Sequence, residues 1–209
     1  MFAPVSAAVM RLAPRAAVAC AMSALLAAPA AQAVVVTSPA ANVPVPVTTS
    51  GIYINVLTGA AGTAAGTAGW DVNPWGSSSF QIWGNTGGGI ATNGTAIAAL
   101  AAGTVVGPAL TFTSSGSGAS AANGWVLNSA NYFGFSFINE ASGGLHYGYG
   151  IVQLGGTFTD PARSVVSLFY ESVANTPITI AAVPEASTWA IMLSGLAVAG
   201  AIARRRRAG

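Results

Sequence analysis

The hydrophobic positions change rhythm along the chain. Residues 16–28 (AAVACAMSALLAA) and 188–203 (TWAIMLSGLAVAGAIA) are two uncharged, mostly apolar blocks, one near each end. Between them lie short apolar runs separated by glycine-, serine- and threonine-rich stretches. The clearest run is 132–138 (YFGFSFI), where Phe133, Phe135 and Phe137 alternate with Tyr132, Gly134 and Ser136. A period of two puts the three phenylalanines on one face of a strand. Residues 146–154 (HYGYGIVQL) alternate Tyr147, Tyr149 and Ile151 with Gly148, Gly150 and Val152. The intervening 139–144 (NEASGG) predicts a hairpin connection with Glu140 in water. Strands are also predicted at 165–170 and 178–180, and weaker ones at 52–57 (IYINVL), 80–83 (FQIW), 110–113 (LTFT) and 125–127 (WVL). A helical pattern is offered only by the short 96–102 (AIAALAA). Many short strands with glycine-rich turns predict a mainly β body, an antiparallel β-sandwich or jelly roll.

Proline and glycine punctuate this body. Pro39, Pro44 and Pro46 make 34–50 an extended, polyproline-like or edge segment rather than a helix. Small-residue loops fill 59–69 and 114–124. The Asn73-Pro74 step within Trp70 to Trp75 predicts an exposed turn.

The charges reinterpret the two apolar blocks. Charged residues are 6% of the 209, there is no lysine, and the formal net charge is +2. Six of the seven arginines lie at the ends: Arg11 and Arg15, then Arg204, Arg205, Arg206 and Arg207. The interior has Arg163 against Asp71, Glu140, Asp160 and Glu171, so it is net negative, and no basic patch for nucleic acid can form on it. Arg11, Arg15, the first apolar block and Ala31-Gln32-Ala33 read as a secretory leader cleaved after Ala33, since about thirteen apolar residues ended by Pro29 are too few to span a bilayer. Cys20, the lone cysteine, leaves with it. The second block, about 24 Å long as a helix, reads as a single membrane-inserted helix with its four arginines on the cytoplasmic side. The expected division is a leader at 1–33, a proline-rich segment at 34–50, an extracellular β domain at 51–182 and a C-terminal signal at 183–209.

Candidate chemistry is sparse. One histidine, four carboxylates and one arginine remain in the mature body, without a nucleophile-elbow, phosphate-loop or zinc motif. A glycan-active enzyme could use Glu140 or Glu171 as acid with an aspartate partner. The context of each acid is that of an ordinary turn, and His146 opens a tyrosine-rich strand. No catalytic residue, metal site or cofactor is therefore expected; Asp71 and Asn73 cannot complete a calcium shell. Aromatic rings are the better candidates for a ligand, with Trp70, Trp75, Tyr147 and Tyr149 as possible carbohydrate contacts.

The order Val183-Pro184-Glu185, apolar helix, arginine cluster resembles the PEP-CTERM sorting signal of Gram-negative bacteria, with Ala186 where a second proline is commoner. The resemblance implies processing near Pro184 and Glu185 by an exosortase, a membrane-embedded transpeptidase-like enzyme, in cells that make exopolysaccharide. The run from NYFGFSF through GGLHYGYGIVQL and LFYES to TPITI also resembles a recurrent extracellular module without an established activity. The expected protein is exported by Sec-type machinery, held briefly in the inner membrane, and then placed at the surface or in a biofilm matrix. The expected partners are exosortase and exopolysaccharide, with no nucleic acid.

Overall fold

A computed structural model describes residues 33–181, apart from 65 and 117. These residues are mainly β, in antiparallel sheets, with one short 3-10 turn at Ala121–Asn123. The strands are β1 (Val35–Pro44), β2 (Tyr53–Ile54), β3 (Ala61–Gly62), β4 (Val72–Trp75), β5 (Gln81–Gly84), β6 (Gly89–Asn93), β7 (Ala96–Ile97), β8 (Val105–Val106), β9 (Thr111–Thr113), β10 (Ala130–Ile138), β11 (Leu145–Gln153), β12 (Ser164–Glu171) and β13 (Ile178–Thr179). A seven-stranded sheet runs β1-β12-β11-β10-β6-β7, with β9 also on β6; a four-stranded sheet runs β3-β2-β4-β5; β13 pairs with β8.

The β10–β11 hairpin forms as its alternation dictates, with unbroken register from Ala130↔Gln153 to Ile138↔Leu145. Phe133, Phe135 and Phe137 enter the main core with Ile54, Val72 and Ile82 of the four-stranded sheet, Val56 just after β2, and Val165 and Leu168 of β12. Gly148 stands opposite Phe135, and Gly150 opposite Phe133. A Cβ on Gly148 would drive into the Phe135 ring and the Phe169 carbonyl, and one on Gly150 into the Phe133 ring and Leu168. The tyrosine–glycine alternation of β11 thus makes room for the phenylalanine rings of β10. Gly148→Ala or Gly150→Ala is expected to cost about 1–3 kcal/mol through overpacking. Gly66→Ala, which meets open space at a backbone without positive φ, is expected to be neutral. Urea midpoints of the three variants check this.

The opposite face of the hairpin is covered too. Tyr147 and Tyr149 form a second core with Val106, Ile178 and Ile180, so the small β8–β13 pair roofs them over. Tyr149 stacks on Phe169 at 4.8 Å between ring centroids.

The proline-rich segment joins the main sheet as its edge. β1 pairs with β12 from Val35↔Glu171 to Pro44↔Ser164, with a register shift between Thr37 and Ala41 that accommodates Pro39.

Three local expectations are corrected. Residues 125–127 are not a strand: both backbone polar groups of Val126 bond the side-chain amide of Asn131, at 2.8 Å each. That amide stands in for a neighbouring strand. Trp125 follows the 3-10 turn and donates from Nε1 to the Ile97 carbonyl at 3.0 Å. Residues 96–102 are not helical either. Asn93-Gly94-Thr95-Ala96 closes a two-residue β6–β7 hairpin with Gly94 at φ +64, and Leu100 bridges to Tyr132. The Trp70 to Trp75 stretch is no exposed turn: Val72 to Trp75 is β4, and Asp71, Val72 and Asn73 are buried. The Pro74 carbonyl accepts from Ile52 N at 3.1 Å, so residue 74 turns its polar edge away from β5. The missing proline N–H therefore leaves the β4–β5 ladder intact.

Candidate functional site

Two acidic side chains, Asp71 and Glu140, come together where the 55–71 segment meets the tip of the β10–β11 hairpin. Asn55, buried after β2, organises this place. Its Oδ1 accepts from Leu57 N and Thr58 N at 2.9 and 2.8 Å, and its Nδ2 donates to Gly69 O at 2.6 Å and to Glu140 Oε1 at 3.1 Å. Gly69 has φ +60 and lies beneath the Glu140 carboxylate, where a Cβ would collide with it. The hairpin tip is thereby fastened to the loop by one amide.

Two clefts meet at Gly69 and Glu140. One, of about 190 Å³, is lined by Asp71, Asn85, Thr86 and Phe137 among others. The second, wider and more open at about 590 Å³, is lined by Asn55, Leu57, Thr58 and Ala141. Asp71 is 4% exposed. Burial pushes its pKa from 3.8 up to about 7, Glu140 adds to the rise, and a 2.7 Å hydrogen bond from Val56 N opposes it. The two carboxylates, Asn85 and Thr86 can accept from or donate to hydroxyl groups, and Asp71 exchanges its proton near neutral pH.

That pKa carries a pH signature. Asp71 holds its proton more tightly in the folded than in the unfolded chain. Its contribution to stability is full below about pH 4 and lost as pH rises through about 7. Asp160 has the opposite sign, because Ala162 N and Gly156 N hold its pKa below the ordinary carboxylate value. Its stabilisation is present above that value and lost on stronger acidification. Asp71→Asn is expected to flatten the fall in urea midpoint between pH 5 and 8, which a pH series of denaturation curves reads.

The structure separates the aromatic candidates. Tyr147 and Tyr149 lie in the second core, 6% and 3% exposed, so they offer no face to a ligand. The cause is the β8–β13 pair, which is distant in sequence from both tyrosines. Trp70 is half-buried, edge-on to Tyr53 at 5.0 Å. Trp75 meets Trp83 edge-to-face at 4.7 Å on the four-stranded sheet, and Trp83 is 37% exposed. The Trp75 indole N–H is buried without a partner. Trp83 is the exposed ring that sequence reasoning did not single out. Its place two residues from Trp75 across the β4–β5 register, Asn73↔Trp83 and Trp75↔Gln81, becomes visible only once 72–75 is known to be a strand.

The remaining candidates are structural. Glu171 is buried and 3% exposed, contrary to the turn setting expected for it. His146 is buried, with Nδ1 2.7 Å from the Glu171 carbonyl. That carbonyl only accepts, so Nδ1 carries the proton, and Nε2 is left buried without a partner. Arg163, treated in sequence only as a charge, is 1% exposed and donates to four main-chain carbonyls: Val45, Pro46, Gly76 and Phe158. Among the described residues no three His, Cys, Asp or Glu side chains gather at metal-binding range.

Ala33 is exposed at the start of the described residues. Ala31, the sorting residues Val183, Pro184 and Glu185, the apolar 188–203 and Arg204 to Arg207 lie outside them. No helix among the described residues is long and apolar enough to cross a membrane.

No curated protein and no solved structure matches the chain. One protein family does: the PEP-CTERM protein-sorting motif matches residues 182–207, which include the Pro184-Glu185 step, the apolar stretch and all four terminal arginines. The chain therefore carries a PEP-CTERM sorting motif, and with it the address of an exported protein that an exosortase sorts to the cell surface.

Proposed function

We propose that the protein is a non-catalytic constituent of an exopolysaccharide-rich cell surface or biofilm matrix, delivered there as a small β-sandwich. The observation that carries this reading is the sorting motif at 182–207 behind a β body of low charge. Sec-type machinery exports the chain, leader peptidase removes 1–33, the apolar 188–203 holds it briefly in the inner membrane, and an exosortase processes it near Pro184 and Glu185. A sandwich, or a jelly-roll variant of it, is the architecture in which Phe133, Phe135 and Phe137 share one core with Ile54, Val72 and Ile82. Fractionation of cells with and without the exosortase tests the routing. Body protein is expected at the surface or in the medium in the first and in the inner membrane in the second. The same distribution in both strains would contradict it.

The exposed Trp83 beside Trp75 favours a second reading, a carbohydrate-binding role. Indole faces stack on sugar rings, and a partly exposed pair offers an apolar platform. Affinity electrophoresis through the native exopolysaccharide separates the two readings. Retardation that Trp83→Ala abolishes supports binding, and unretarded migration supports a passive matrix role. Turnover of any polysaccharide by the protein would contradict both, and the Asp71–Glu140 cleft would then be the place to mutate.

A further inference from the structure

Glu171 is a buried carboxylate with no side-chain cation to answer it among the described residues. Arg163, the one arginine among residues 33–181, has its donors on four carbonyls, and lysine is absent from the chain. His146 bonds the main-chain carbonyl of Glu171 through Nδ1. A carboxylate taken out of water without a counter-charge is expensive. What Glu171 Oε1 does collect is the Val34 nitrogen at 2.7 Å, with Val173 N at 3.2 Å and the Ser172 hydroxyl at 3.3 Å. The Val34 nitrogen also lies 3.2 Å from Ser172 Oγ. Its position is fixed from both sides. Ser172 N donates to Val34 O at 3.0 Å, and the first β1–β12 pair is Val35↔Glu171.

Val34 is also the residue that leader removal would place first. We propose that cleavage after Ala33 converts the Val34 nitrogen into an α-ammonium that forms an ion pair with Glu171, so the mature N-terminus has a built docking site in the body. This rests on the reading of 1–33 as a cleaved leader. In the hydrolysis, the oxygen of water ends in the Ala33 carboxylate and both its protons on the Val34 nitrogen. One amide N–H becomes three charged donors, with Glu171 Oε1 and Ser172 Oγ already within reach. Before cleavage Glu171 receives a single neutral N–H from residue 34; afterwards it receives a full positive charge. The processed protein gains a charge-assisted contact that the precursor cannot make.

The sign of the pH dependence follows. A free α-amine titrates near 7.7–8.0, and a carboxylate partner raises that value. The groups facing it are Glu171 itself and, behind the Glu171 carbonyl, His146. The stabilisation is full below the free-amine value and lost as pH rises through the raised one.

The absence of lysine gives a clean test, because the α-amine of the processed chain is then its only primary amine. The full chain is expressed with its leader in a Gram-negative host, and the exported protein is sequenced from its N-terminus. It is then acylated with an N-hydroxysuccinimide ester at pH 8, native and in urea. The expected result is Val34 as first residue, with native acylation about tenfold slower than unfolded, a change equal to about 1.4 kcal/mol. Glu171→Gln should bring the native rate close to the unfolded one. Should that variant fail to fold, Ser172→Ala, which removes one acceptor, should raise the native rate part of the way. The native-to-unfolded comparison of the wild-type protein needs no variant. A first residue other than Val34 overturns the leader reading. Val34 first, but acylated equally fast native and unfolded, overturns the docking and leaves the leader reading standing.

Discussion

Arg163→Met is expected to destabilise the body by about 3–5 kcal/mol, a large share of the roughly 5–15 kcal/mol that holds a typical domain together. Arg163 Nη2 donates to Gly76 O at 2.6 Å and Pro46 O at 2.7 Å, Nη1 to Phe158 O at 2.9 Å, and Nε to Val45 O at 3.2 Å. One guanidinium therefore joins the end of the β1 segment, the turn after β4 and the turn before β12. It also lies 5.6 Å from the centroid of the buried Phe80 ring. Burial lowers its pKa from the ordinary value, yet an arginine stays charged, and four carbonyl dipoles compensate it. Methionine fills similar volume but leaves those carbonyls without a donor, which is the expensive half of a broken hydrogen bond. Arg163→Lys should recover only part of the loss, because an ammonium has three donors and no planar fork. Urea denaturation of the purified body protein, wild type and both variants, reads the order.

Replacing Pro184 and Glu185 together with alanine is expected to abolish processing. The chain should then accumulate with Arg204 to Arg207 attached and remain in the inner-membrane fraction. On the proposed routing, the four arginines are a positive-inside block beside the apolar 188–203 and keep the C-terminal end in the cytoplasm. Glutamine at all four positions should loosen that topology while leaving the body unchanged. The control is the urea midpoint of the body, which should match wild type for both sets. Detection with an antibody against the body, alongside C-terminal mass analysis, distinguishes a processed chain from a retained one.

What the sequence made legible was local or terminal. The β10–β11 hairpin followed from seven alternating positions and a glycine-bearing turn, because strand periodicity is a property of neighbours in the chain. The sorting motif was legible for the same reason, its three parts being contiguous. The strand β4 was hidden by Asn73-Pro74, which reads as a turn unless one knows that the polar edge of residue 74 faces Ile52. Burial of Tyr147 and Tyr149 depends on Val106 and Ile178, which no local pattern connects to them. The same holds for the candidate sites. Asp71 meets Glu140 only because Asn55 ties the hairpin tip to the Gly69 loop, and Glu171 meets Val34 only because β12 pairs with the edge strand β1. In a body with so few charges, every charged side chain that is buried needed a partner from far along the chain. Counting charges gave their number but not those partners.

On the proposed function, the two ends of the chain are routing signals and the β body between them is what the cell delivers. The intact mass of the protein collected outside exosortase-bearing cells tests it most directly. The expected chain begins at Val34, contains the whole of 34–181, ends near Pro184 and Glu185, and lacks Arg204 to Arg207. A delivered chain whose mass still includes Arg204 to Gly209 would contradict it.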